Sequence, residues 1–250
     1  MADAWVLGSM GWMPAAGRQT ACILVELGDE LIMLDAGTGV ANLAAFAGVL
    51  ECHDRLSIVL SLYHLDHVSG LMYLKRFVAN KQVDVYGPGR PVYPRTTESY
   101  LRDLLQTTFY SSGPTGFAQN VRFFDYGGED FAVGEVTIHV RPQYHSASSF
   151  ELRLDDVLTY ATDTCFDAQD WAGYPTTKVL LHECWQLTEE DARHSSVSAL
   201  VTGVPHDVFD RVVLIHQNPA WDEREREQVA EMAAMCGFEL ATDGMHIPLE

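Results

Sequence analysis

The chain has 250 residues, 47% of them hydrophobic and 10% aromatic, enough to bury a full core as one large domain or two small ones. Sixteen basic residues against 35 acidic ones leave a formal charge of −19, which repels polyanions and offers no basic stripe to a nucleic-acid backbone. Its apolar runs stay short of the ~20 residues that a membrane span needs, and the opening Met1-Ala-Asp-Ala-Trp-Val-Leu7 lacks the features of a signal peptide, so a cytoplasmic protein is expected.

In chain order, short runs rich in β-branched and aromatic residues predict strands at Trp5–Leu7, Ala21–Leu27 and Leu31–Leu34. The Gly28-Asp29 turn joins the last two as a hairpin. A helix-like segment follows over Val40–Leu50, then a strand over Leu56–Leu62, a helix over Ser69–Ala79, a strand over Val83–Tyr86 and a helix over Thr96–Gln106. The second half reads as strands Val136–Val140, Phe150–Leu154, Val157–Ala161 and Val179–Leu181, a helix over Ser195–Thr202 and a strand over Val212–Ile215. A helix with a mixed-charge start (Asp222–Met235) and a strand over Phe238–Ala241 close the series. No linker or low-complexity tract divides the chain, so one mixed α/β domain over residues 1–250 is expected. Five cysteines (Cys22, Cys52, Cys165, Cys184, Cys236), scattered and odd in number, read as reduced thiols that mostly fill the core.

The richest chemistry follows the run Ser57–Leu62. His64, Asp66 and His67 lie within four residues where an apolar strand gives way to a helix. A strand pins the backbone, and the loop after it can turn several side chains toward one point. Imidazole with carboxylate suits zinc, iron or manganese.

Leu62-Tyr63-His64-Leu65-Asp66-His67 resembles the His-x-His-x-Asp-His hallmark of the metallo-β-lactamase fold superfamily, with Leu62 where the first histidine belongs. Val179-Leu-Leu-His-Glu183 with His194-Ser-Ser196 resembles paired motifs of its ribonuclease Z-like and cyclic-phosphodiesterase-like branch. The opening segments Leu7-Gly-Ser-Met-Gly-Trp-Met-Pro14, Arg18-Gln-Thr20 and Leu34-Asp-Ala-Gly37 are similar to that branch too. The resemblance runs from Leu7 to His216. It implies a four-layer αββα sandwich with metal loops along one edge.

It also implies three further ligands, each just after an apolar run: His145, Asp163 as the bridge between two metals, and His216. One site would comprise Asp66, His67 and His216, and the other His64 and His145, with Asp163 shared. Leucine has no lone pair, so the second site is one ligand short. One firmly held Zn2+ and a second ion weak or absent are expected, with iron or manganese as alternatives.

A divalent ion lowers the pKa of its water to about 7, which gives a hydroxide nucleophile. The resemblance makes Asp66 both ligand and base. It makes His194 the proton donor to the leaving group, beside the plainer reading of a solvent-exposed histidine at a helix start. His182 and Glu183 are expected to fix neighbouring loops or a ligand histidine. Cys165, two residues after Asp163, is either near the metals or simply a small buried thiol. The Thr107–Phe117 loop and Trp12 either cover a pocket or form plain surface. His53, His139, His206 and His246 match no motif.

The expected activity is metal-dependent hydrolysis of a small phosphodiester. The alternatives are hydrolysis of a lactone or thioester, and a degenerate member that binds metal or ligand without turnover. The expected partner is a small molecule, with no nucleic acid and no membrane; a homodimer fits as well as a monomer.

Overall fold

A computed structural model describes residues 2–113, 116–188 and 193–250. The first half of the chain makes β1 (Ala2–Gly8), β2 (Cys22–Leu27), β3 (Glu30–Leu34), β4 (Arg55–Val59), β5 (Gln82–Pro88) and β6 (Asn120–Tyr126). The second makes β7 (Phe131–Val133), β8 (Val136–Gln143), β9 (Ser149–Leu154), β10 (Leu158–Ala161), β11 (Thr177–Glu183), β12 (Phe209–Ile215) and β13 (Glu239–Leu240). The last strand, β14 (His246–Pro248), returns to the first sheet and pairs antiparallel with β1. The strand orders are β14-β1-β2-β3-β4-β5-β6 and β13-β12-β11-β10-β9-β8-β7. Helices α1 (Ala47–Glu51), α2 (Leu65–Val68), α3 (Leu71–Leu74) and α4 (Thr97–Leu104) come from the first half; α5 (Val197–Gly203) and α6 (Glu223–Met235) come from the second.

Alternation along the strands explains the layering. In β3, Ile32 and Leu34 face the core between the sheets, whereas Leu31 and Met33 face a second core. That second core also takes Leu43, Leu50, Leu71 and Leu101 from the helical segments. In β11, Val179 and Leu181 point between the sheets, and Leu180 packs with Val197, Leu200, Val229 and Ala233 of α5 and α6. Both faces of each sheet are therefore apolar, as sheets covered on two sides require. The result is the expected αββα sandwich.

The β2–β3 hairpin pairs Leu27 with Glu30 across Gly28 and Asp29. Gly28 takes a φ of 62°, which suits a glycine at the first position of a tight hairpin turn. Two expected elements come out differently. The strand over Leu56–Leu62 stops at Val59, because the Ser61 N–H is taken by the Asp35 carboxylate (2.8 Å) instead of a neighbouring strand. The helix over Ser69–Ala79 is replaced by the single turns α2 and α3. Between them the Gly70 N–H bonds to the Ala36 carbonyl (2.8 Å). There a Cβ on Gly70 would lie 1.8 Å from the Gly37 carbonyl oxygen, so only glycine permits this approach.

Sequence patterning missed β6, β7 and β14. β6 is a mostly exposed edge strand, and the other two are three residues long. The histidines without a motif have structural neighbours: His53 bonds Glu26, His139 bonds Asp130, His206 lies against Phe238, and His246 bonds Asp3 and stacks on Trp5. Among the described residues no helix is long and apolar enough to cross a membrane.

Candidate metal centre

Strands β3, β4 and β5 run parallel, as do β10, β11 and β12, so each sheet gathers carboxyl ends on one edge. Ligand sites in such sheets form beyond those ends. Asp35 follows β3, the His64–His67 segment follows β4, Asp163 follows β10, Glu183 ends β11, and His216 follows β12. His145 comes from the β8–β9 loop. Asp35, Asp163 and His216 all have positive φ values (55°, 49° and 47°). Left-handed backbone is costly for residues other than glycine, and three such turns at strand ends from both sheets mark a region whose geometry matters more than local comfort.

The structure brings all six sequence-predicted metal ligands together. Ligand atoms of Asp66, His67 and His216 lie within 4.8 Å of one another, as do those of His64, His145 and Asp163. Asp163 joins the two groups. Its Oδ2 is 3.2 Å from His67 Nε2, 3.4 Å from His64 Nδ1 and 3.7 Å from His145 Nε2, and its Oδ1 is 3.6 Å from His216 Nε2. On the other side, Asp66 Oδ2 is 3.4 Å from His67 Nε2 and 3.3 Å from His216 Nε2.

Two of these histidines are oriented from behind. The His67 Nδ1–H donates to Asp35 Oδ2 (2.7 Å), and the His145 Nδ1–H donates to the Arg193 carbonyl (2.9 Å). Such a bond fixes the tautomer and leaves Nε2 as the ligand atom. Asp35 is fully buried and also accepts from Ser61 N–H (2.8 Å), Ser61 Oγ (2.7 Å) and Tyr160 Oη (2.8 Å). Sequence reading placed Asp35 in a family motif but gave it no task. Tyr160, which completes its shell, is 125 positions away.

The electrostatics fit a cation. Burial alone would raise the pKa of the Asp66 and Asp163 carboxyls, yet His67 and His216 hold both well below the usual range. Burial alone would lower the His216 imidazole, but Asp163 and Asp66 raise it to about 10; His67 is raised against burial by Asp66, Asp35 and Asp163. Protons thus gather where two carboxylates need positive charge. Asp163 Oδ2 is buried without an aligned hydrogen-bond partner although three imidazole nitrogens surround it. A carboxylate oxygen ringed by imidazole nitrogens, with no donor aligned on it, is what a shared divalent ion would satisfy.

Behind His216 lies Glu183, fully buried. Its Oε1 accepts from Thr164 N–H (2.8 Å) and Ser195 N–H (3.3 Å), and its Oε2 accepts from His194 Nδ1–H (2.9 Å). Burial raises the Glu183 carboxyl, but the bond from His194 and the nearness of His216 lower it overall. Asp163, Glu183 and His194 also cluster closely enough to hold an ion. Because the Glu183 carboxylate is fully buried and accepts from three donors, one of them His194 Nδ1–H, it positions His194. His182 instead turns away into the aromatic contacts of Phe166 and Trp171, with Nδ1 on the Glu183 carbonyl, so it fixes no ligand histidine. His194 is stacked on Trp185 at 4.5 Å and does not float free as a helix-start histidine.

Leu62 is completely buried. Cys165 is half-buried, whereas Cys22 and Cys184 are buried core thiols. The cleft has a volume of about 190 Å³ and is lined by His64, Asp66, His145, Asp163, His194 and His216, together with Trp12, Trp185, Ser146 and Arg193. Sequence analysis did not single out the last three; they belong to loops and carry no spacing signal. The described part of the Thr107–Phe117 loop lines none of this cleft, and residues 114 and 115 lie outside the described residues.

A family model described as "Anti-Pycsar protein Apyc1" matches residues 10–236. The chain belongs to the Anti-Pycsar protein Apyc1 family. The Apyc1 protein of Bacillus phage BSP38 is 25% identical over 200 residues, covering 74% of this chain and 77% of its own. Ribonuclease Z of Methanopyrus kandleri is 34% identical over 154 residues, which are 60% of this chain but 48% of that protein, so the match spans about half of the enzyme. "Probable metallo-hydrolase YhfI" of Bacillus subtilis is 24% identical over 190 residues, 74% of this chain and 73% of that protein.

The YhfI crystal structure superposes with a TM-score of 0.76 at 17% identity, covering 99% of both chains. A diphosphatase of the PhnP family also scores 0.76 at 17% identity, covering 100% of this chain and 98% of its own. The short form of human tRNase Z scores 0.64 at 18% identity, covering 99% of both chains. The chain has the metallo-β-lactamase fold of YhfI, and its relatives place it among metallo-hydrolases.

Proposed function

We propose that this chain hydrolyses small phosphodiesters with the aid of divalent metal, zinc being the first candidate and iron or manganese the alternatives. The single observation that carries the reading is Asp163, whose carboxylate lies between two groups of imidazoles and carboxylates at the floor of the cleft. Asp66, His67 and His216 would hold one ion with Asp163. His64 and His145 would share Asp163 around a second and weaker one, because Leu62 supplies no ligand. Bound metal would supply an acidified water at neutral pH and neutralise charge on a phosphoryl group.

The chain's own residues do the rest. Asp66 would take the proton of the attacking water, and His194, held through Nδ1 by Glu183, would offer its other nitrogen to the leaving oxygen. Arg193 adds positive charge beside an anionic substrate. A cleft of about 190 Å³ on a molecule of charge −19 favours a small substrate over an RNA chain. By membership we extend the anti-Pycsar role named for Apyc1 to this chain, in a cytoplasmic setting.

Leu62 favours one second reading. Phosphodiester cleavage gains more from two ions than acyl hydrolysis does, so a weakened second site shifts weight toward lactones and thioesters. Metal-loaded protein assayed side by side on bis(p-nitrophenyl) phosphate, a γ-lactone and a thioester separates the two. Turnover of the phosphodiester, abolished by chelation, is expected. Turnover confined to the acyl substrates would replace the first reading with the second. No turnover of any, with metal bound, would make the chain a binding protein.

A further inference from the structure

Two tryptophans line the cleft and are used differently. Trp185 is committed to the protein: its ring stacks on His194, and its carbonyl accepts from Asn218 Nδ2. Trp12 is 66% exposed, and among the described residues no other ring stacks on its indole. A large aromatic surface left in water at the mouth of a site calls for a reason.

The backbone beneath it sharpens the point. Trp12 is the middle residue of a three-residue turn closed by Met13 N–H on the Gly11 carbonyl (2.6 Å), and its φ is 57°. Turns of this kind with positive φ are rare and strained, and glycine is the residue that would relieve them. The turn is tied to the metal centre at both sides. The Trp12 N–H donates to Asp66 Oδ2 (2.6 Å), and Gly11 lies so close to His216 that a Cβ would be 2.4 Å from the ring. Holding Asp66 needs only the backbone N–H, which glycine would supply without strain. The indole therefore needs its own explanation.

We propose that Trp12 sets the specificity of the cleft by stacking its indole on a planar aromatic group of the substrate. The proposal rests on the phosphodiester reading above. The cleft is open to solvent where the exposed Trp12 lines it, so a substrate whose phosphoryl group meets the ligand cluster can lay its ring against the indole.

Calorimetric titration of the metal-loaded protein with phenylphosphonate and methylphosphonate tests this directly. The two anions carry the same head group and differ in the ring alone. The unaltered protein is expected to bind phenylphosphonate about tenfold more tightly. Trp12→Ala should erase that preference while the methylphosphonate Kd stays put, and Trp12→Phe should keep most of it. Both variants retain the N–H that meets Asp66, and their metal content verifies it.

A preference that survives in Trp12→Ala, or is missing from the unaltered protein, overturns the proposal and leaves the phosphodiester reading standing. Failure of both phosphonates to bind overturns the phosphodiester reading and the proposal with it.

Discussion

Replacing His194 with alanine is expected to lower kcat by about 10²–10⁴-fold, the usual range for a lost general acid, with KM and metal content little changed. The reason is geometric. Glu183 takes the His194 Nδ1–H at 2.9 Å, the Trp185 ring stacks on one face at 4.5 Å, and the remaining ring nitrogen is left to the cleft that His194 lines. Loss of a general acid spares substrates whose leaving group departs without a proton, a selectivity that a purely structural histidine would not produce. Steady-state kinetics on esters with good and poor leaving groups, with elemental analysis of each variant, checks both points. An unchanged kcat would remove His194 from the mechanism; a loss of bound metal would make it a ligand through the Asp163–Glu183–His194 cluster instead.

The second large effect is expected at Asp35. Four donors converge on its buried carboxylate: Ser61 N–H, Ser61 Oγ, His67 Nδ1 and Tyr160 Oη. Asp35→Ala strands all four at once, and breaking such a buried network costs about 3–5 kcal/mol of a total stability of about 5–15 kcal/mol. The same change frees the His67 ring to turn, so metal affinity should fall about 10–100-fold. Tyr160→Phe is the control: it removes a single neutral donor and should cost about 1 kcal/mol, with metal affinity nearly intact. Denaturant unfolding and metal titration of the two variants read these effects. Equal losses in both would mean that Asp35 matters through packing alone.

Much of this was legible in the sequence because strand ends advertise themselves. Apolar runs stopping at His64, Asp163 and His216 placed those residues on one edge before any contact was known, and Leu62 stood out because its neighbours fitted a pattern that it broke. What stayed hidden depends on distance along the chain. Asp35 gains its meaning from Ser61, His67 and Tyr160, which no local pattern joins to it. The helix expected over Ser69–Ala79 followed a sound apolar spacing, but Gly70 spends its N–H on Ala36 and breaks the helix into two turns. Trp12 was ambiguous as a loop aromatic; only its positive φ and its bond to Asp66 distinguish it from plain surface.

Metal content per chain, measured by elemental analysis of protein purified without added metal, tests the central claim most directly. The account predicts about one equivalent, held by Asp66, His67, His216 and Asp163, rising toward two in Leu62→His as the His64–His145 site regains its third imidazole. Two tightly held equivalents in the unaltered chain, or none even after reloading, would contradict it.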